Sequence, residues 1–422
     1  MATSIHSTTT KPKGMLPDEP PATTTRQRLE SLDIFRGLTI AGMILVNNPG
    51  SDVSYWPLNH ADELMTAHQA GGYPGKWWVD ANGWTPTDLI FPFFLFIVGA
   101  SMVLSFAARR ARGDSRLTLM THVARRSLLI LLIGYAIRIL PYVDFSHMRY
   151  PGVLQRIALV YLCASVITLW TSGRARILWI AGLLAGYYAI IRFVPVPGCD
   201  SAAWMTQHCS LAGWLDRKLM LGHLYRRDFD PEGLLSTLPA IATTLLGTLA
   251  GEFLRDASPQ RAKSGLAGNP TASLRQKMRG LVIAGVMGVA AGYAWHPWFP
   301  ISKPLWTSSY VLFTAGAACL LLALCWWLIE MRGWRAWARP FLWLGSNAIL
   351  AYALSTFVGK LGSIIQVGDG TQVTTVQTWI YEHWFAPLAQ AKNASLAFAL
   401  CYLALWTLVA WGLYRKKIFV KV

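Results

Sequence analysis

Residues 88–108 read DLIFPFFLFIVGASMVLSFAA. One aspartate opens the run and no further charge interrupts it. At about 1.5 Å of rise per residue, a helix of this length crosses the roughly 30 Å hydrocarbon core of a bilayer. Working outward from it, hydropathy marks about ten spans, near 33–48, 88–108, 123–140, 153–170, 177–193, 234–253, 278–295, 307–329, 341–361 and 394–414. The composition agrees: of 422 residues, 54% are hydrophobic and 14% charged, against roughly 25% charged in a soluble domain. The chain reads as an all-α polytopic membrane protein of about ten transmembrane helices. Cytosolic globular, disordered, collagenous and disulfide-scaffold classes are excluded.

Thirty-eight Lys and Arg against 21 Asp and Glu give a net charge of +17. Clustered basic residues also mark nucleic-acid binders, but here their distribution follows the membrane, and no nucleic-acid partner is expected. With the N-terminus inside, 25 basic residues fall in inside segments and the helix ends beside them, and eight in outside segments. The other five, Arg36, Arg138, Arg156, Arg192 and Lys360, lie within spans. That asymmetry predicts cytoplasmic N- and C-termini. It assigns the excess charge to topology and anionic lipid or, in a sharper reading, to an anionic cytosolic co-substrate.

Residues 1–30, rich in Thr and Pro without an apolar core, read as a disordered cytoplasmic tail ahead of one membrane domain, 31–422. Outer loops at 49–87 and 194–233 and a cytoplasmic linker at 254–277 punctuate it, and the spans are expected in two groups of five. Cys163, Cys319, Cys325 and Cys401 lie in helices, where thiols pack as small hydrophobes. Cys199 and Cys209 share an outside loop, where an oxidising compartment permits a disulfide, and they are expected to be bonded. A Cys-x₂-Cys pattern is absent, and no metal is expected.

Ionisable groups at membrane depth are costly and point to function. The first span carries Asp33 and Arg36 at its inner end and Asn47-Asn48 at its outer end, more than an anchor needs, although an ion pair with interfacial capping is the plain alternative. The loop beyond holds Asn59-His60-Ala61-Asp62 and Gly83-Trp84-Thr85-Pro86-Thr87-Asp88. A histidine can take a proton from an attacking amine, a neighbouring carboxylate can orient it, and an Asn amide can donate to a developing oxyanion.

These residues carry a resemblance. Arg28-Leu29-Glu30-Ser31-Leu32-Asp33-Ile34-Phe35-Arg36-Gly37-Leu38-Thr39, with Asn47, His60-Ala61 and Gly83 to Pro92, resembles the heparan-α-glucosaminide N-acetyltransferase family and its bacterial homologues, above all the NagX-type proteins linked to N-acetylglucosamine use. Similar stretches recur at Pro151–Ile157, Asp230–Ser236, Ser302–Tyr310 and Leu344–Leu350. The resemblance implies transfer of acetyl from cytosolic acetyl-CoA to the amine of a glucosamine-type sugar at the outer side of a bacterial inner membrane, by a homodimer. It implies His60, Asn47 and Asp88 as the catalytic residues. An insertion, Glu63 to Ala81, departs from the family pattern; it reads equally as a lid or a tolerated loop, and its His68 is the rival of His60.

On this reading the phosphates of acetyl-CoA meet Arg36, Arg125, Arg126 or Lys416, while Gln155, Arg156, Lys303, Trp306 and Asn347 line the path of its arm or form ordinary interhelical bonds. His60 either removes the amine proton or first accepts the acetyl group itself. Rival classes are an amino-sugar transporter, an acyltransferase with another cell-envelope acceptor, and a scaffold without catalysis. ATP-driven transport and metalloproteolysis lack their motifs.

Overall fold

Each apolar segment read from the sequence forms helix. The computed structural model describes residues 29–62, 83–256, 270–368 and 373–420. Helix α1 runs Glu30–Asn47, α2 Ile90–Arg110, α3 Arg116–Ile139, α4 Val153–Trp170 and α5 Gly173–Phe193. A short outer helix, α6, covers Leu211–Met220, followed by α7 Thr237–Asp256, α8 Pro270–Trp295 and α9 Ser308–Trp326. The chain ends with α10 Arg339–Ser346, α11 Ala348–Ile364 and α12 Ala391–Arg415. A two-residue ribbon pairs Gln366 with Thr375 and Val367 with Thr374.

Hydropathy placed the starts of α3 and α8 several residues late, because it registers depth in the apolar layer and not helix length. Ser115, whose hydroxyl accepts from Thr118 N, opens α3 among residues that leave the apolar layer. Ser172 does the same for α5 through Ala175 N. Among the described residues eight helices are long and apolar enough to cross a bilayer, and α10 and α11, bent by 77° at Asn347, reach that length and apolarity only as a pair. The first segment differs in kind. Its 18 residues include Glu30, Asp33 and Arg36, and it lies inside the bundle with Ile34, Phe35, Ile40 and Ile44 each no more than 1% exposed. The charges at its start therefore meet protein: Ser31 N donates to Glu330 and Arg36 to Asp33. The protein is an all-α, multi-pass membrane protein.

The linker at 254–277 follows six of the spans read from the sequence and precedes four, not five and five; α1 packs on α10 across it, and α2 on α7 ahead of it. The second crossing is close because both surfaces are glycine. A Cβ on Gly99 would stand 2.0 Å from the Thr244 carbonyl oxygen, and one on Gly247 2.0 Å from that of Phe96. This crossing fixes α2, whose N-terminal end follows Asp88. Cys199 and Cys209 form the expected disulfide, with Cα atoms 5.6 Å apart. The expected tail (1–28), the inserted segment with His68 (63–82) and the middle of the linker (257–269) lie outside the described residues.

Candidate active site

The turn that leads into α2 reads Thr85-Pro86-Thr87-Asp88, and this sequence chemistry locks the loop in place. Pro86 presets the first turn, and Thr85 and Asp88 form a reciprocal capping box. The threonines also tie down the preceding segment, Thr85 Oγ1 donating to Asn59 O at 2.7 Å and Thr87 Oγ1 to Pro57 O at 2.8 Å. Asn59 and His60 are thereby brought over Asp88.

Asp88 is 1% exposed, so its carboxylate persists only if well supplied with donors. Oδ2 accepts from Thr85 N at 3.0 Å and Ala61 N at 3.2 Å; Oδ1 lies 2.7 Å from His60 Nδ1 and 3.5 Å from Lys303 Nζ. Tyr310 donates its hydroxyl to the Asp88 carbonyl. A carboxylate only accepts, so Nδ1 donates to Asp88 and the lone pair of His60 sits on Nε2, where the Lys303 ammonium can donate from 3.1 Å; the 2.7 Å between Nζ and Nδ1 sets two donors face to face and is a close contact, not a hydrogen bond. The His60 side chain is 28% exposed, enough to be reached from outside.

Lys303 is delivered by a tight turn before α9. Trp306 N donates to Lys303 O at 3.0 Å, and Trp306 itself has φ 51°, a left-handed conformation unfavourable for a bulky side chain. Packing holds it there. Its ring is 1% exposed, meets Phe91 and Tyr310 edge-on, and donates Nε1–H to Thr243 Oγ1 at 3.2 Å. The Arg156 guanidinium lies 5.0 Å over the same ring. Arg156 is 2% exposed, donates Nη2 to Gly233 O at 3.0 Å and to Ser236, and leaves Nε and Nη1 without a hydrogen bond.

Beside this pair stands an ionic hub. Arg149 Nε and Nη2 hold Asp230 at 2.7 and 2.6 Å, and Nη2 also binds Glu232. Burial works against both charges of the Arg149–Glu232 pair. The carboxylates nevertheless raise Arg149 above its ordinary range, and Arg149, Arg156 and Lys303 hold Glu232 below its own. Asp216 lacks such partners. Burial pushes it up to about 6, against one hydrogen bond from Leu234 N at 3.0 Å.

The heparan-alpha-glucosaminide N-acetyltransferase catalytic model matches residues 28–281, a segment that contains His60, Asp88, the hub and Arg156. The chain belongs to this family. It is 28% identical to the mouse heparan-alpha-glucosaminide N-acetyltransferase and 29% identical to the human one, over 94% of its own length in each case. The chain spans 60% of the length of these curated relatives.

The structure brings together His60, Asp88 and Lys303, with Trp306 and Arg156 behind them. It separates Arg36 and Asn347 from that group. Arg36 bonds Asp33 at 3.0 Å, Ser101 Oγ at 2.6 Å and Gly345 O at 3.3 Å near the start of α1, a helix about 27 Å long. Asn347 uses both ends of its amide on the C-terminal tail, Nδ2 donating to Ile418 O at 3.0 Å and Oδ1 accepting from Val420 N at 2.9 Å. Asn47 is exposed at the end of α1, whereas its neighbour Asn48 is buried and bonds Ile44 O. Gln155 faces a separate cavity. Sequence reasoning missed the contact of Lys303 with His60, the Tyr310 bond and the Arg149 hub. Their signal was present in the Ser302–Tyr310 and Asp230–Ser236 stretches, but only as resemblance.

Proposed function

We propose that the protein is an acetyltransferase that moves an acetyl group from cytosolic acetyl-CoA to the amine of a glucosamine-type sugar at the outer face of a bacterial inner membrane. The observation that carries this reading is the seating of His60 between a buried carboxylate and a lysine at the end of a span. Family membership supports the reaction class, and the charge asymmetry supports ten spans with both termini inside.

A glucosamine amine is largely protonated near neutral pH, so transfer needs a base. His60, its Nδ1–H fixed by Asp88, offers Nε2. The sugar ammonium first gives one proton to water; as the C–N bond forms and the C–S bond breaks, the second passes to His60 and from there to the departing CoA thiolate. In the alternative route Nε2 takes the acetyl group first as the thiolate leaves with the C–S electrons, and the neutral amine then displaces Nε2 from the acetyl carbon, its proton passing to the freed imidazole. Lys303 sets a positive charge beside the negative charge that develops on the acetyl oxygen, with the exposed Asn47 amide as a further donor at the same end of the bundle. Arg156, with unpaired Nε and Nη1 over Trp306, suits the carbonyls of the pantetheine arm. Arg36 serves the cytoplasmic end.

The test is transfer from radiolabelled acetyl-CoA to glucosamine by detergent-purified protein. His60→Ala should lower turnover by at least about a hundredfold while the elution profile stays that of folded protein, and His68→Ala should keep it. Full activity in His60→Ala would remove His60 from the mechanism. Sugar flux in vesicles without acetyl-CoA, and no transfer, would replace the enzyme with a transporter.

A further inference from the structure

A second site is built where the outer ends of α3, α4 and α11 meet. An open cavity of about 520 Å³ lies there, lined by Arg138, Gln155, Tyr352 and Lys360 with the apolar Ile137 and Leu154. Its polar groups do not cancel. Lys360 is used as a brace, its ammonium donating to the carbonyls of Ile137, Arg138 and Leu140 at 2.9, 2.6 and 2.7 Å. Arg149, also on the wall, is bound by Asp230 and Glu232, a group with one more negative charge than positive, and so has no charge to spare for a ligand. The wall carboxylate Asp144 turns to Ser146 and His147. Arg138 has no carboxylate within ion-pair distance among the described residues and makes no side-chain hydrogen bond there.

The second observation is Gln155. It is 8% exposed, lines the cavity and leaves Nε2 buried without a hydrogen bond. Two glycines make room for it beside Arg138. A Cβ on Gly134 would stand 3.0 Å from Gln155 Nε2, and one on Gly152 would stand 2.6 Å from Gln155 Oε1 and 3.0 Å from Arg138 Nη2. The guanidinium and the amide stand side by side on a half-apolar wall, with the amide oxygen toward Arg138 and the unpaired N–H toward Gly134; once the amide turns over, the two form a donor set for one oxyanion.

We infer that this cavity binds an oxyanion of the phosphate or carboxylate type through Arg138 and Gln155. The group can come from a phospholipid headgroup, from a substituent on a sugar, or from free phosphate. None of its residues contacts His60, and the inference stands whether or not the chain transfers acetyl groups.

The test measures binding. Detergent-purified protein is titrated with three pairs of probes: dioctanoyl phosphatidylglycerol against dioctanoyl phosphatidylcholine, glucosamine 6-phosphate against glucosamine, and sodium phosphate against sodium chloride at equal ionic strength. In at least one pair the more anionic member should bind at least tenfold tighter, and Arg138→Gln should abolish the difference. The pair that responds names the source. Gln155→Leu, which leaves the cation in place, should weaken the same probe by a smaller factor and covers the case in which Arg138→Gln does not fold. No preference in any pair, or a preference unchanged in both variants, overturns the site. Because transfer is not the readout, an inactive enzyme that still shows the preference would defeat the proposed function and leave the oxyanion site standing.

Discussion

Asp88→Asn isolates what the carboxylate does, because it keeps the shape and removes the charge. Two fixed backbone donors, Thr85 N and Ala61 N, face Oδ2 at 3.0 and 3.2 Å, so the Asn oxygen must take that position. Its NH₂ then points at His60 Nδ1, 2.7 Å from the atom it replaces, with Lys303 Nζ 3.5 Å away. Donor would face donor unless His60 changes tautomer. Once Nδ1 becomes the acceptor, Nε2 carries the proton and can neither take one from the amine nor attack the acetyl carbon. An imidazole held in the wrong tautomer costs about 10⁴ in turnover in the serine-protease triad, and a loss of about 10³ to 10⁴ is expected here. Loss of the charge-assisted bond, with Lys303 left without its counter-charge, should lower stability by about 2–4 kcal/mol. Turnover at saturating acetyl-CoA and the melting temperature in detergent separate the two effects. Thr85→Ala gives the comparison: it removes the capping hydroxyl and its bond to Asn59 O at a cost of about 1 kcal/mol but leaves the tautomer alone, so it measures what the loop tether alone contributes to turnover. An Asp88→Asn protein that folds and keeps turnover within about threefold of wild type would refute the orienting role.

Three further expectations follow the same geometry. Lys303→Gln should lower kcat by about ten- to a thousandfold with little change in the KM for glucosamine, and Lys303→Arg should recover part of it; equal losses in both constants would make Lys303 a binding group. Asp216 has a folded pKa near 6 against 3.8 when unfolded, so its charge opposes folding, and the cost of about 3 kcal/mol is complete above pH 6 and relieved as pH falls. Asp216→Asn should therefore raise the melting temperature at pH 8 and flatten its decline between pH 4 and 7; a lower melting temperature at pH 8 contradicts this. Asn347→Ala removes both bonds to the tail, should cost about 1–3 kcal/mol and speed tryptic cleavage near Arg415, and should leave the KM for acetyl-CoA within about twofold. A tenfold rise in that constant without a change in melting would instead place Asn347 on the acetyl-CoA path.

How far the sequence could be read depended on how far apart the partners lie. Helices were legible because one run of side chains must satisfy one solvent, and twenty uncharged residues after Asp88 meet that condition unaided. The link between His60 and Asp88 was partly legible, since Thr85-Pro86-Thr87-Asp88 writes a capping box into adjacent residues and leaves only a loop to close. Lys303 is another matter. It reaches His60 across 243 positions, through a turn held by Trp306 in a conformation that nothing local favours. What stabilises that turn is the packing of Trp306 against Phe91, Tyr310 and Arg156 from α2, α9 and α4, which exists only after those helices have met. The same logic accounts for α1 and Asn347. Hydropathy could not tell that the charges of α1 would meet protein, and the amide at the bend between α10 and α11 finds its partners in a tail some seventy residues on. The strain at Trp306 thus ties the two halves of the site into one unit: the ring that lies under Arg156 also sets the backbone that holds Lys303 against His60.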